Sequence, residues 1–353
     1  MKHDPIHLVT GGDLRFLPGI QVTVASALIW MPEDRAIVFH ILDGGLGEEA
    51  RQGLQGLVQR CHSSAELIFH TVPEESLDAF VPGPGNSRMY YARIQMASLL
   101  ADVARVIYLD SDLLLMGDLC ELWESDPGGS VAMACRDRKV LRLSDDAPWP
   151  LAPEEEGLPY FNSGVMLVDL DKWRAENVEQ KCLDLISKPC GPYRWWDQTI
   201  LNHVIRGKVG FLPPQWNWQS EEVPAPGEPA PRILHYTTGL KPWLYWGGSF
   251  RFQAWRQCYR ACAGSPVRLL LENGSWRGLI NGLFDGLLDS SHLVRCLYLA
   301  HLKLALKLSG KNERTALIEQ KIHFLTSPRK SRNHSREKQL LKELQERLSA
   351  RVG

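Results

Sequence analysis

Apolar segments of two kinds alternate along the first 110 residues of the chain. Runs of strand length occupy residues 6–10, 36–42, 65–71 and 105–109. Between them apolar positions recur with helical spacing, which predicts helices over residues 18–30, 48–61 and 89–102. This β-α-β-α order predicts an α/β fold with a mostly parallel sheet and helices on both faces. Ligands of such sheets bind beyond the carboxyl ends of the strands, so we expect a site at that edge.

The second half of the chain is less regular. Residues 145–159 are rich in Pro and Glu and predict a surface loop, and the six prolines of residues 213–231 exclude a long helix there. A leucine stripe with helical spacing lies near the end of the chain at Leu340, Leu341, Leu344 and Leu348. We therefore divide the chain into an α/β domain, residues 1–262, and a helical, basic C-terminal extension, residues 263–353, with a hinge at 326–335.

Composition narrows the class of protein. The 353 residues are 44% hydrophobic and 23% charged, as in globular proteins with a sizeable core. A net charge of −1 argues against a nucleic-acid partner. Residues 311–353 hold 11 Lys and Arg against 5 Glu, which fits either peripheral contact with an anionic membrane or a solvated tail.

Location is predicted from three sequence features. We find no secretory leader, no uncharged apolar run of ~18 residues and no Cys-x-x-Cys pair among the eight cysteines. Cys258 and Cys262 lack a second ligand pair nearby and predict a helix face rather than a zinc site. We therefore expect a cytoplasmic protein.

The strand at residues 105–109 runs directly into Asp110-Ser111-Asp112. Side chains two residues apart on a strand point the same way, so the two carboxylates would lie together at its carboxyl edge. Carboxylates are costly to bury without a partner. The tripeptide indicates either a divalent cation held by oxygen ligands or a solvated acidic turn.

Four further segments carry residues suited to a binding site. Asn162-Ser163-Gly164 enters a strand and would allow close approach and hydrogen bonding to a ligand, although it also fits an ordinary turn. Asp197 fits the N-cap of a helix over residues 199–204. A strand delivers His235, and a glycine loop then presents Lys241, a combination suited to a metal and a diphosphate. Arg93 precedes the strand at residues 105–109.

Taken in order, these motifs resemble those of the family-8 glycosyltransferases, which are retaining, nucleotide-sugar-dependent enzymes. The resemblance covers about residues 5–255 and implies a GT-A type, Rossmann-like mixed sheet, mostly parallel and flanked by helices. Its motifs here are Tyr91-Ala92-Arg93, Tyr108-Leu109-Asp110-Ser111-Asp112, Phe161-Asn162-Ser163-Gly164, Asp197-Gln198 and His235-Tyr236 followed by Gly239-Leu240-Lys241-Pro242-Trp243.

The resemblance implies a role for each of these positions. The ligands of Mn²⁺, with Mg²⁺ as the alternative, would be Asp110, Asp112 and His235. Contacts to the nucleoside and diphosphate of a UDP-sugar would come from Thr10, Gly11, Gly12, Asp13, Ser111, Thr238, Gly239 and Lys241. The donor sugar would be surrounded by Arg93, Asn162, Asp197 and Gln198. The implied reaction moves galactose or glucose to a glycan, glycolipid or lipopolysaccharide-type acceptor.

One segment departs from the family pattern. Where relatives carry Asp-Asp-Asn-Tyr after the first strand, this chain has Gly12-Asp13-Leu14-Arg15. The departure leaves open a sugar-nucleotide-binding or scaffold protein with weakened catalysis. A phosphatase of the haloacid-dehalogenase type is a further alternative, but Leu114 stands where that pattern needs Thr. For retention, we favour attack on the face of the departing group over a covalent intermediate on Asp197, because the amide of Gln198 is a poor nucleophile.

Overall fold

The computed structural model shows an α/β fold built on one large sheet. It describes residues 4–83, 86–192, 194–220, 223–224, 227–239, 241–245, 249–266, 269 and 334–352. The strands of the large sheet are β1 (Ile6–Gly12), β2 (Ile37–Asp43), β3 (Ala65–Thr71), β4 (Arg105–Leu109), β6 (Ala132–Arg136), β7 (Phe161–Asp169) and β8 (Val209–Phe211). A separate two-stranded sheet pairs β5 (Leu113–Leu115) with β9 (Ile233–His235).

The large sheet is mixed and mostly parallel, which confirms the predicted fold class. Its strand order is β3-β2-β1-β4-β7-β6-β8. The first four strands in that order are parallel, and β8 is parallel to β6. The exception is β7, which runs antiparallel to both β4 and β6. The carboxyl ends of β1 and β4 therefore lie side by side at one edge.

Helices cover both faces of this sheet. Alternate residues of β4 enter two different apolar clusters, Ile107 one and Val106 the other, as expected for a strand buried on both sides. The helices are α1 (Leu17–Trp30), α2 (Glu48–Cys61), α3 (Met96–Leu99), α4 (Cys120–Trp123), α5 (Leu170–Ala175), α6 (Val178–Ile186), α7 (Trp196–Val204), α8 (Phe250–Cys262) and α9 (His334–Arg351). Cys258 and Cys262 lie on α8, as the helix-face interpretation predicts.

The helix predicted over residues 89–102 is present as far as Leu99, but most of it is a 3-10 helix. The chain forms a 3-10 helix, Met89–Gln95, before the short α3. Tertiary contacts override helical propensity here. In a 3-10 helix residues three apart lie on the same side, which aligns Arg93 with Tyr90 and turns the guanidinium toward Ser163.

The predicted surface loop over residues 145–159 is wrong at its first residues. A 3-10 helix, Leu143–Asp146, begins there, and Asp146 is buried. Its carboxylate accepts hydrogen bonds from Tyr160 and Thr199. These bonds satisfy the buried charge and tie the segment to α7.

The C-terminal helix α9 packs against the α/β domain. Leu344 is fully buried in the same apolar cluster as residues of α1 and α8. Arg347 and Arg351 donate to the backbone oxygens of Ile29 and Met31, at the carboxyl end of α1. Cations are favoured at that end of a helix by its dipole.

The boundary between domain and extension stays a prediction. Most of the predicted hinge at residues 326–335 and most of the extension itself fall outside the described residues. In the part of the chain that is described, no helix is long and apolar enough to cross a membrane.

We expect Leu344→Ala to lower the free energy of unfolding by about 2–5 kcal/mol, since it opens a cavity in the shared core. Urea unfolding followed by circular dichroism measures this. Leu341→Ala, a half-buried leucine of the same helix, is the control and should cost clearly less. A Leu344→Ala variant that is as stable as the wild type would show that α9 does not belong to the core.

Candidate active site

Strand pairing brings the two halves of the site together. Asp110 follows the last residue of β4, and its backbone N–H donates to the carbonyl of Gly164 on β7. Asp112 precedes β5, whose first residue pairs with His235 at the end of β9. The small sheet therefore delivers His235 to the edge at which β4 ends, as the sequence predicts for these residues.

The side chains of Asp110, Asp112 and His235 converge on one point. One ligand atom from each lies within 4.8 Å of the other two. His235 Nε2 is 3.2 Å from Asp112 Oδ1 and 3.6 Å from Asp110 Oδ2. Asp112 Oδ1 is buried and has no hydrogen bond. Two carboxylate oxygens and an imidazole nitrogen are ligands that Mn²⁺ or Mg²⁺ accepts, so the donor set fits a divalent cation.

Gly164 leaves room for this convergence. A Cβ atom at that position would lie 2.2 Å from His235 Cε1 and 2.7 Å from Asp110 Oδ2. Both distances are shorter than non-bonded atoms allow. The sequence predicts that a ligand approaches Asn162-Ser163-Gly164 closely. In the structure, the side chains of His235 and Asp110 occupy the space that Gly164 leaves.

Lys241 stands beside Asp112. Its ammonium lies 2.5 Å from Asp112 Oδ2 and also donates to the carbonyl of Tyr236. Burial acts to raise the pKa of Asp112, but the neighbouring Lys241 ammonium, the largest of the opposing influences, holds that pKa well below its ordinary value. Asp112 is therefore an ionised carboxylate at neutral pH.

Arg93 forms ion pairs with two carboxylates through different nitrogens of its guanidinium. It lies 2.7 Å from Asp110 Oδ1 and 3.0 Å from Asp197 Oδ2. It also donates to the carbonyl and hydroxyl of Ser163 and stacks over Tyr108. Only 6% of its side chain is exposed. Burial works against its charge, but the two carboxylates raise the pKa of Arg93 above its ordinary value.

Asp197 is not the helix cap that the sequence suggests. The helix α7 begins one residue earlier, at Trp196, and Asp197 lies inside its first turn. Its carboxylate accepts from Ser163 Oγ and pairs with Arg93. Burial raises the pKa of Asp197 to about 6, because desolvation exceeds the opposing attraction of Arg93.

Asn162 and Gln198 face each other across β7 and α7. Gln198 Oε1 accepts from the backbone N–H of Ser163, and Gln198 Nε2 donates to Asp137 Oδ2. Asn162 Nδ2 donates to the same oxygen of Asp137. The structure thus brings together Arg93, Asn162, Asp197 and Gln198, which the sequence predicts as one group.

Two buried residues of the site are absent from the sequence-based prediction. Asp137 follows the last residue of β6, and this position at a strand end could have signalled it. Asn217 ends a 3-10 helix, Pro214–Asn217, within the proline-rich segment. It donates to Asn162 Oδ1, and its own oxygen lies 2.8 Å from His235 Nδ1. No local pattern marks Asn217, because its role depends on a contact 18 residues away.

The predicted nucleoside and phosphate contacts lie around the same edge. Val9 pairs with Tyr108, so Thr10 and the residues after it follow β1 past the end of β4. Thr10 Oγ1 is buried without a hydrogen bond, whereas Asp13 is held by Arg15 and Ser87. Of the remaining predicted contacts, Gly11 and Gly12 are the last two residues of β1, and the others lie in loops: Ser111, Thr238 and Gly239.

Comparison with known proteins identifies the class of this site. A model of glycosyl transferase family 8 matches residues 7–247, more than half of the chain. The chain belongs to glycosyl transferase family 8. This result confirms the resemblance inferred from the motifs and makes the protein a glycosyltransferase.

Two relatives of this family-8 glycosyltransferase are named as lipopolysaccharide glycosyltransferases. It is 26% identical over 254 residues to the lipopolysaccharide 1,3-galactosyltransferase of Salmonella typhimurium, covering 69% of this chain and 74% of that protein. It is 26% identical over 261 residues to a lipopolysaccharide 1,2-glucosyltransferase of Escherichia coli, covering 68% and 73%. A third relative, a Haemophilus influenzae protein named as a glycosyltransferase, is 28% identical, and the match spans 63% of its length.

Solved structures of the same class share the fold. The galactosyltransferase LgtC, crystallised with donor and acceptor sugar analogs, superposes with a TM-score of 0.61. The match is 23% identical and covers 77% of this chain and 99% of LgtC. This likeness shows that the family-8 enzyme described here has the GT-A fold.

We expect Arg93→Met to lower the free energy of unfolding by about 3–5 kcal/mol, because it leaves two buried carboxylates without their shared cation. Urea unfolding at pH 7.5 measures the change. Arg142→Met, which removes an exposed ion pair with Asp145, is the control and should have a much smaller effect. If both variants are as stable as the wild type, Arg93 does not compensate these charges.

Proposed function

We propose that this glycosyltransferase is a retaining, metal-dependent hexosyltransferase that uses a UDP-sugar donor and a saccharide or glycolipid acceptor. The observation that carries the proposal is the convergence of Asp110, Asp112 and His235, with Lys241 alongside, at the carboxyl edge of β4. A cation at this point, Mn²⁺ or alternatively Mg²⁺, would supply Lewis-acid stabilisation of a diphosphate leaving group.

The residues around this point have the chemistry to hold a nucleoside diphosphate. Lys241 would supply a cation for phosphate oxygens. A Cβ atom at Gly239 would meet no other atom within 4 Å, so the loop that carries Thr238 and Gly239 has open space beside it. The unpartnered Thr10 Oγ1 has a hydrogen bond to offer at the end of β1.

The hydrogen bonds of the sugar-side residues favour attack on the same face as the departing group. A two-step displacement needs a free carboxylate below the anomeric carbon. Asp197 is the nearest such group in the proposal, but Arg93 and Ser163 already bind it. Gln198 presents an amide whose oxygen is engaged by a backbone N–H. We therefore assign Asp197 and Arg93 to charge balance and Asn162 and Gln198 to binding of the donor sugar.

The donor sugar and the acceptor are proposed by analogy with the relatives. Their names indicate galactose or glucose as the transferred hexose and a lipopolysaccharide-type glycan as the acceptor. Cytoplasmic location and peripheral contact of the basic C-terminal region with an anionic membrane stay predictions. Two cations of that region, Arg347 and Arg351, bind the end of α1 instead.

A second candidate function is sugar-nucleotide binding with weakened turnover. The observation that favours this function comes from residues 12–15, the segment that departs from the family pattern. There Arg15 forms an ion pair with Asp13 at 2.6 Å, which occupies a carboxylate that would otherwise be available to the donor. Measurable turnover of a UDP-sugar would reject this alternative.

We expect Asp112→Asn to reduce Mn²⁺-dependent turnover of UDP-galactose or UDP-glucose by ~100-fold or more, since a lost Lewis acid costs several kcal/mol and ~1.4 kcal/mol is tenfold in rate. Release of UDP is the measurement, with and without EDTA. Asp102→Asn, an exposed carboxylate before β4, is the matched control and should retain wild-type turnover.

Two outcomes would contradict the proposal. Full turnover of the Asp112→Asn variant in the presence of EDTA would show that the reaction does not need a metal ion. A wild-type protein that binds UDP-sugars with Mn²⁺ but never releases UDP, even with lipopolysaccharide-type acceptors, would favour the binding protein.

A further inference from the structure

Four buried polar side chains form a continuous row beneath the candidate metal site. The row, called here the amide relay, consists of Asp137, Asn162, Asn217 and His235. Asn162 Nδ2 lies 3.0 Å from Asp137 Oδ2, and Asn217 Nδ2 lies 2.8 Å from Asn162 Oδ1. Asn217 Oδ1 is 2.8 Å from His235 Nδ1. All four residues are at least nine-tenths buried, so these contacts have no competition from bulk water.

Asp137 sets the direction of every hydrogen bond in the amide relay. Its carboxylate is surrounded by N–H donors: the amides of Asn162 and Gln198 on one oxygen and two backbone N–H groups, of Lys139 and Val140, on the other. The carboxylate therefore accepts throughout. Asn162 must turn its NH₂ toward Asp137 and its oxygen the other way.

A second donor fixes Asn162 independently. The backbone N–H of Gly164 donates to Asn162 Oδ1 at 3.1 Å. That oxygen must then face Asn217 as an acceptor, so Asn217 presents its NH₂ to Asn162 and its oxygen to His235. The oxygen can only accept, and His235 Nδ1 must carry the proton.

A histidine binds a metal through a nitrogen that carries no proton, and with the proton on Nδ1 that nitrogen is Nε2. Nε2 faces Asp112 Oδ1 and Asp110 Oδ2, which are also acceptors. The geometry points to Asn217 as a positioning residue that fixes His235 as the Nδ1–H tautomer and so prepares Nε2 to bind the divalent cation. This inference rests on the metal role in the proposed function and extends it to a residue that does not touch the metal.

The backbone holds Asn217 rigidly against β9. The next residue, Trp218, forms a bridge with Leu234, and its N–H donates to the carbonyl of Ile233. The N–H of His235 donates back to the carbonyl of Trp218. Partners of this kind, which orient a histidine ligand from behind, change metal affinity by about 10–100-fold when removed.

The amide relay also joins the metal side of the site to the sugar side. Asp137 Oδ2 accepts from both Asn162 and Gln198, the two residues proposed to bind the donor sugar. Through this oxygen, the orientation of His235 and that of the sugar-binding amides depend on one carboxylate.

The inference is tested on Asn217→Leu and Asn217→Asp. The leucine removes the acceptor for His235, whereas aspartate keeps an oxygen there. We expect Asn217→Leu to weaken Mn²⁺ binding by about 10–100-fold, measured by electron paramagnetic resonance titration of the metal alone. Asn217→Asp should stay within a few-fold of wild type. Gln52→Leu, which removes an amide on the exposed face of α2, is the matched control and should bind Mn²⁺ as the wild type does.

The histidine tautomer is a readout that needs neither metal nor activity. In the ¹⁵N-histidine spectrum of the metal-free wild type at pH 8, assigned with a His235→Asn variant, His235 should show a protonated Nδ1 and an unprotonated Nε2. Asn217→Leu should move this signal toward the other tautomer, and Asn217→Asp should not.

Two results would overturn the inference. One is an Nε2–H tautomer of His235 in the wild type. This result is measured on the wild type alone and does not depend on whether a variant folds. The other is an Asn217→Leu protein with wild-type Mn²⁺ affinity and tautomer. If the wild type has the Nδ1–H tautomer and Asn217→Leu disturbs it, but the wild type does not bind Mn²⁺, the metal role in the proposed function fails while the positioning role of Asn217 stands.

Discussion

Three buried or half-buried carboxylates at one strand edge are the constraint on which the site depends. Asp110, Asp112 and Asp197 lie close enough to repel one another, and isolated ions of this kind are costly to bury. Two cations compensate these charges. Arg93 binds both Asp110 and Asp197, and Lys241 lies beside Asp112. Asp110 Oδ2 and Asp112 Oδ1, together with the facing His235 Nε2, remain for a third cation.

This charge balance explains why the site is assembled from distant parts of the chain. Arg93 comes from a 3-10 helix, His235 from a small separate sheet, and Lys241 from the loop after it. Each is brought to the carboxyl edge of β4 by strand pairing or packing. Gly164 permits the approach, because any side chain there would collide with His235 and Asp110. A divalent metal ion would complete the compensation and could then hold a diphosphate, and this fits a family whose members transfer sugars.

Much of the fold was predictable from the sequence because it depends on local pattern. The alternation of apolar runs and helical spacing defines β1 to β4 and the helices between them. Asp110 and Asp112 could be placed at a strand end for the same reason. The 3-10 form of the helix at residues 89–95 could not be predicted in this way, because the contact of Arg93 with Ser163 on β7 is a tertiary one. Asp197 was grouped with the donor-sugar residues through the family resemblance, but its pairing with Arg93 is a tertiary contact that no local pattern indicates.

The residues behind the site were the hardest to predict. Asp137 and Asn217 act through hydrogen bonds to Asn162 and His235. The position of Asp137 after a strand could have signalled its role, but no local pattern marks Asn217. The C-terminal helix shows the converse. Its leucine stripe was visible in the sequence. Arg347 and Arg351 belong to the region predicted either to contact an anionic membrane or to be solvated, but they bind the carboxyl end of α1.

The central claim is that Asp110, Asp112 and His235 hold a divalent cation. Anomalous diffraction at the manganese absorption edge, from crystals grown with Mn²⁺ and UDP, tests it most directly. The account predicts one strong anomalous peak within bonding distance, about 2–2.5 Å, of Asp110 Oδ2, Asp112 Oδ1 and His235 Nε2. UDP bound at the site with no anomalous peak among these three side chains would contradict it.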